Sequence, residues 1–166
     1  CYEHNGCEDN EDLTSLEELK YFTSLTSIEY SDPDEISSDR CGGGREFSRN
    51  NRGYAQRCPN LTSVVIPDSV TSIGTGAFST DIALSNVVLS KNLKTIGDGA
   101  FINNESLSSI TLPNSLKTIG RYAFSGSGLQ SIEIPNGVTE IEEGAFECCN
   151  SLSSITLLNG VTTIEN

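Results

Sequence analysis

This 166-residue chain has no tryptophan, no methionine and a single histidine, His4. A lone imidazole in a polar stretch reads as a surface residue rather than as part of a zinc site or a catalytic pair. There is no Cys-x-x-Cys, so neither a zinc ribbon nor a thioredoxin-like redox motif is present. No run approaches the roughly 20 apolar residues of a membrane span. Basic residues are scarce: 10 Lys and Arg face 23 Asp and Glu, for a net charge of −13. Such a chain is not built to grip nucleic acid or anionic lipid along its length. Position 1 is Cys, with neither an initiator Met nor a signal peptide before it, as in a processed form or a fragment.

What the chain does have is period. Leu61, Leu84, Leu107, Leu129 and Leu152 begin the same pattern at steps of 23, 23, 22 and 23 residues. Ala-Phe pairs at 77–78, 100–101, 123–124 and 145–146 keep step at 23, 23 and 22. A repeat of this length signals stacked units rather than one closed core. In Leu107-Ser-Ser-Ile-Thr-Leu112, apolar and polar positions alternate as in a short half-buried strand. Ile110 and Leu112 are expected to point inward, Ser109 and Thr111 outward. Pro67, Pro113 and Pro135 follow the strand, where a missing amide donor does no harm. A second short apolar pair follows (Val-Thr-Ser-Ile-Gly at 70–74, Leu-Lys-Thr-Ile-Gly at 93–97 and 116–120), usually closed by a Gly suited to a tight turn. No unit can bury its apolar face alone; stacking makes one continuous core.

The pattern Leu-x-x-Ile-x-Ile-Pro-x-x-Val-x-x-Ile-Gly-x-x-Ala-Phe-x-x-Cys-x-x-Leu resembles the leucine-rich repeat of the BspA-like (Treponema pallidum type) class. Cys58 and Cys149 stand three residues before Leu61 and Leu152, where that class often has Cys. The equivalent places elsewhere hold Asp81, Asn104 and Gly126. The resemblance covers residues 53–166 firmly and 13–30 weakly. It implies a leucine-rich repeat solenoid: a right-handed coil with a parallel sheet of one short strand per repeat. A second short strand pair and short turns or helices on the convex side complete the coil. It also implies an extracellular or cell-surface protein of the adhesion type.

Three parts are expected. Residues 1–24 form an acidic N-terminal cap with one short helix, suggested by a capping box at Ser15 and Glu18 and by Leu16, Leu19 and Phe22 on one helical face. Residues 25–60 form a first repeat, with Leu25-Thr-Ser-Ile28 as the first rung of the sheet and an Arg/Gly-rich insertion at 31–57. Residues 61–166 hold five repeats of about 23 residues, the last incomplete. That last unit stops just before its Ala-Phe, so the polypeptide is expected to continue past Asn166.

Charge divides the chain. Residues 1–39 carry −11, residues 40–58 carry +4 and residues 59–166 carry −6. Insertions in repeat arrays become loops, often on the binding side. Arg40, Arg45, Arg49, Arg52, Tyr54 and Arg57 of the insertion are therefore the candidate partner contacts, since interface hot spots favour Arg and Tyr. The bland reading is a surface loop whose arginines pair with the acidic N-terminal segment. Gly42–Gly44 is not a phosphate loop, because no strand leads into it and no Gly-Lys-Ser/Thr follows.

The outward face of the sheet comprises Ser63 and Val65, Asn86 and Val88, Ser109 and Thr111, Ser131 and Glu133, and Ser154 and Thr156. It is rich in hydroxyls and nearly uncharged, with no aromatic cluster and no carboxylate pair, which gives catalysis nothing to work with. Six cysteines outside a reducing compartment suggest disulfides. The candidate bridges are Cys1–Cys7 and Cys41–Cys58, although Cys1 could instead be a lipoprotein terminus. One of Cys148 and Cys149 is expected to be a buried filler. Asn60-Leu-Thr62 and Asn104-Glu-Ser106 are candidate glycosylation sites. The expected function is non-catalytic recognition of a protein or a glycan, with no cofactor and no metal. The alternative is a structural repeat subunit or spacer that self-associates through its repeat ends.

Overall fold

The computed structural model describes residues 15–16, 27–28 and 60–165. Eleven short strands are found there: β1 (Ser15–Leu16), β2 (Ser27–Ile28), β3 (Ser63–Val65), β4 (Ser72–Ile73), β5 (Asn86–Val88), β6 (Thr95–Ile96), β7 (Thr118–Ile119), β8 (Ser131–Ile134), β9 (Glu140–Ile141), β10 (Ser154–Leu157) and β11 (Thr163–Ile164). All pairings are parallel. The register repeats the period: Ser63 faces Asn86, Ser72 faces Thr95 and Thr95 faces Thr118. The chain is a β-solenoid of the expected leucine-rich type.

One wall is a six-stranded sheet in the order β11-β9-β7-β6-β4-β2. The other is interrupted, with β1-β3-β5 in one piece and β8-β10 in another. Between them the 107–112 stretch keeps the in-out alternation, with Ile110 and Leu112 buried, but forms no strand. The coil that contains it is the one of 22 residues. Its shortened return passes through Gly128, where a Cβ would lie 2.1 Å from the Glu105 carbonyl oxygen. Only glycine lets the shorter coil approach its neighbour this closely.

The convex turns explain why no helix forms there among the described residues. Amides alternate between two partners. Ala77 and Ser79 donate within their own coil to the Gly74 and Gly76 carbonyls. Gly76, Phe78 and Thr80 donate to the next coil, at the Asp98, Ala100 and Ile102 carbonyls. The same alternation recurs at 99–103 and 122–126. A helix would spend every amide inside its own segment; here those that bind coil to coil alternate with those that bind within, and each amide of 76–80, 99–103 and 122–126 has a partner without one. Turning this way requires left-handed residues at two places per coil: Gly76, Gly99, Tyr122 and Gly144, then Thr80, Asn103, Gly126 and Cys148. Tyr122, at φ 53°, stands where the other coils use glycine. For an L-residue that conformation costs roughly 1–2 kcal/mol.

The helix expected within residues 1–24 does not begin at Ser15 as its capping box suggests, and the rest of that stretch lies outside the described residues. Ser15–Leu16 is a strand, paired with Ser63 and Val64. The stretch Leu13-Thr-Ser-Leu16 is thus the counterpart of Leu61-Thr-Ser-Val64. Ser27–Ile28 pairs with Ser72–Ile73, so it is a rung of the second wall and not of the first. For Ser15 and Leu16 the ladder partner decides the conformation; Leu19 and Phe22 lie outside the described residues. The remainder of 1–59 lies outside the described residues.

Down the centre runs an aromatic ladder. Phe78, Phe101, Phe124 and Phe146 stack with centroids 5.3, 5.4 and 5.6 Å apart and ring planes within 11° of parallel. Strands in a sheet are about 4.8 Å apart. The longer centroid spacing therefore means offset stacking, the favoured arrangement. Leucine, isoleucine and valine columns fill the rest of the interior. Burial depends on having a coil on each side. Ile132, Ile134 and Ile141 are at most 4% exposed, while their counterparts Ile155, Leu157 and Ile164 are 44%, 47% and 57% exposed.

Phe101, fully buried between two rings, tests this dependence. Phe101→Ala is expected to cost about 3–5 kcal/mol. Phe146→Ala removes a ring with one described stacking partner and is expected to cost less. Urea unfolding of the two variants gives the comparison.

Candidate functional site

Period-two alternation along each strand and a fixed rise between coils place the outward side chains in columns. One holds Ser63, Asn86, Ser109, Ser131 and Ser154; the next holds Val65, Val88, Thr111, Glu133 and Thr156. Ser63 and Val65 are half-buried and the others are exposed. A third column, Thr62, Ser85, Ser108, Gln130 and Ser153, is exposed beside them. Some of its hydroxyls serve the fold: Ser85 Oγ donates to the Thr62 carbonyl at 3.3 Å, and Ser153 Oγ to the Gln130 carbonyl at 2.9 Å. Hydroxyls of Ser109, Thr111, Ser131, Ser154 and Thr156 make no such bond among the described residues and face outward. The face can offer hydrogen bonds in both directions, with one carboxylate, Glu133, and one exposed apolar side chain, Val88. The sequence places these ten residues on one face, and the structure does the same.

Other candidates fall elsewhere. Arg40, Arg45, Arg49, Arg52, Tyr54 and Arg57, with Cys1, Cys7, Cys41 and Cys58, lie outside the described residues. Asn60 is exposed in a turn. Asn104 corrects the expectation of a second glycosylation site: it is fully buried, so the folded coil gives no access to its amide. Both of its amide atoms lack a hydrogen-bond partner among the described residues. Its column explains the burial. Asp81, Asn104 and Cys149 share their place inside the coil edge with Ser127, not with Gly126 as counting back from Leu129 suggests, because the 22-residue coil is short by one residue after that point; Asp81, Asn104 and Ser127 are at most 3% exposed. Cys149 is the best adapted of the four. Its thiol donates to the Phe124 carbonyl at 3.1 Å and sits 3.3 Å from Ser127 Oγ. Burial pushes its pKa up, against the pull of the Ser127 contact, so it stays a thiol and is a poor nucleophile.

A second feature, not foreseen from the sequence, lies on the turn edge of the fourth coil. Tyr122, Glu142, Glu143, Phe146, Glu147 and Glu165 border an open cavity of about 730 Å³. Four carboxylates and no base line it. The Tyr122 ring lies against Gly144, where any Cβ would meet ring atoms at 2.3 and 2.5 Å. Tyr122 has a raised pKa, from burial first and then from Glu143 and Glu147. Arg121 neutralises part of the rim through a 2.6 Å pair with Glu143. Both partners are half-exposed, and such pairs are worth little. Glu142 sits in a column that is glycine in earlier coils, Gly74, Gly97 and Gly120. That replacement was the available signal. Burial, then the charges of Asp98, Glu140 and Glu165, raise its pKa. Among the described residues no group of His, Cys, Asp and Glu is arranged to hold a metal ion.

Comparison with known proteins follows the fold. The BspA type Leucine rich repeat region matches residues 50–166 in six copies. A leucine-rich repeat protein from Bacteroides ovatus is 39% identical with a TM-score of 0.63, over 69% of this chain and 30% of that one. A leucine rich cell surface protein from Faecalibacterium prausnitzii is 39% identical with a TM-score of 0.56, over 61% of this chain and 27% of that one. The T. pallidum Leucine Rich Repeat protein is 27% identical with a TM-score of 0.54, over 65% and 61%. The chain thus spans less than two thirds of each of these structures. No curated protein matches it.

Glu142 gives a pH test with a definite sign. Its folded pKa lies above the ordinary 4.5, so the folded chain holds that proton more tightly than the unfolded chain does. The stabilising effect of protonation is complete below the unfolded pKa and is lost as pH rises through the folded one. Glu142→Gln should therefore melt higher than the parent at neutral pH. The gap should close as pH falls below about 4.3. Melting curves across that range measure it.

Proposed function

This chain belongs to the BspA-type leucine-rich repeat family, and on that premise we propose that it is a non-catalytic recognition module acting at the cell surface or outside the cell. The observation that carries the reading is the outward sheet face. Its side chains do nothing for the core, yet they form continuous columns of hydroxyl and amide groups over five coils. Such a face is suited to holding an extended polar surface of a protein or a glycan by many small contacts. The similarity to a cell surface protein supports the location. No helix among the described residues is long and apolar enough to cross a membrane. Catalysis requires converging groups, and the outward columns bring Glu133 beside hydroxyls such as Thr156 but beside no histidine, lysine or second carboxylate.

Two areas share the work in this proposal. The Arg-rich segment supplies attraction and anchoring through Arg40, Arg45, Arg49, Arg52, Tyr54 and Arg57, residue types favoured at hot spots. The sheet face supplies register. Disulfides at Cys1–Cys7 and Cys41–Cys58 and a glycan at Asn60 belong to the same extracellular reading.

Variants separate the two areas. Thr111→Arg with Ser131→Arg places two long cations on the outward face without touching the core. Arg45, Arg49 and Arg52 changed together to Ala remove the charged segment's contribution. The partner is first recovered on the immobilised chain from surface extracts, and its affinity for each variant is then measured. The sheet variant should weaken binding at least tenfold and leave the melting temperature unchanged. The arginine variant should weaken it mainly at low salt. Unchanged affinity in both would overturn the proposal.

A further inference from the structure

The turn that follows each outward strand carries an asparagine in three successive coils: Asn114-Ser115, Asn136-Gly137 and Asn159-Gly160. An Asn-Gly pair is chemically labile when three conditions meet. The asparagine side chain must be free to rotate, the glycine amide must be unengaged, and no Cβ must hinder attack. The coils satisfy these conditions unequally. Ser115 brings a Cβ, and its hydroxyl is held by the Lys91 and Leu93 carbonyls at 2.8 and 2.6 Å. Gly160 donates its amide to the Leu158 carbonyl at 2.7 Å. At the middle site, Asn136 is exposed and its side chain makes no hydrogen bond among the described residues. The Gly137 amide makes none either; the turn is closed by its neighbour, Val138, which donates to the Pro135 carbonyl at 3.1 Å.

We infer that Asn136-Gly137 is a site of spontaneous covalent modification in the folded chain, passing through a cyclic succinimide. The Gly137 nitrogen loses its proton to solvent and attacks Asn136 Cγ. A nitrogen–carbon bond forms, the Cγ–Nδ2 bond breaks, and Nδ2 leaves as ammonia after taking up a proton. Water then adds to either carbonyl of the ring. Opening on one side yields aspartate. Opening on the other yields isoaspartate, in which the backbone runs through the former side chain and gains one methylene. No oxidation or reduction occurs, and water is the only co-reactant.

The second product matters for this fold. The space beside Gly137 is closed: a Cβ there would lie 2.4 Å from the Asn114 carbonyl oxygen and 2.5 Å from that of Leu116. The Asn136 carbonyl in turn backs onto Gly160, where a Cβ would meet it at 2.0 Å. An added backbone atom at 136 therefore cannot be absorbed locally. It displaces the turn against the coils on both sides. Either product also adds one negative charge at the edge of the outward face.

The two Asn-Gly sites supply their own control. Both precede valine, so an unfolded chain should treat them almost alike, and only the folded backbone distinguishes them. The full chain is incubated in mildly alkaline buffer made with heavy-oxygen water, folded or in urea, then digested and mapped by mass spectrometry. The label marks each hydrolysed succinimide. Residue 136 should convert several-fold faster than residue 159 in the folded chain, and the ratio should fall toward one in urea. Asn136→Ser, which keeps a small polar turn residue, should remove the labelled peptide while the far-UV spectrum stays native. Equal rates at 136 and 159 in the folded chain would overturn the assignment. So would a preference for 136 that persists unchanged in urea, since that would place the cause in sequence rather than in structure.

Discussion

Everything in this molecule depends on one backbone constraint: each coil must return to the same lateral position one strand spacing further along. From β3 onward, parallel pairing at a step of 22 or 23 residues enforces this on both walls. The convex turns, where no strand is possible, enforce it through alternating amides that bond inward and onward. A chain under this constraint has little freedom to invent local structure. It cannot wind a helix at the turn, because the amides a helix would use are already committed to the next coil. The phenylalanine ladder is a consequence as well: identical residues at identical places stack because the rise leaves them nowhere else to go.

The same constraint makes departures from the repeat informative. A substitution in a globular core is accommodated by neighbours of many kinds; in a column it meets the same position above and below. Tyr122 in a glycine column keeps its left-handed backbone and lays its ring over Gly144, so one coil's strain depends on the next coil's glycine. Glu142 in another glycine column brings a carboxylate next to Asp98, Glu140 and Glu165, which arrive from different coils. Asn104 occupies a buried polar column in which Cys149 finds two partners and asparagine finds none for its amide. The coil short by one residue brings Gly128 against the Glu105 carbonyl, and in that same coil the 107–112 stretch forms no strand. Register, more than local propensity, transmits each of these effects.

How far the sequence discloses the structure follows from this. The leucine steps and the Ala-Phe pairs suffice for the solenoid, its outward columns and the buried faces, because period and alternation are properties of the chain itself. The capping box at Ser15 misleads because it is a local signal, whereas the partner of Ser15–Leu16 lies 48 residues away at Ser63–Val64. Long-range pairing is invisible in a local window. Asn104 misleads for a related reason. A tripeptide motif is read without regard to position, but the column of Asp81, Ser127 and Cys149 shows that this place faces inward. The acidic groove near Tyr122 needs the register of two coils to be seen at all, although Glu142 in a glycine position is its trace in the sequence.

For function, the separation between inside and outside is the important step. The residues that hold the coils together are inward or in the turns, and a change in any of them propagates through the stack. The outward hydroxyls that make no bond within the fold are free of this. A family that keeps the first set and varies the second can present many surfaces on one scaffold. In the recognition role proposed above, the departures along the columns are Val88, where an exposed apolar side chain interrupts the polar ones, and Glu133, the one charge in the two columns. A ligand that lies along the columns would meet these two at a fixed separation set by the coil rise.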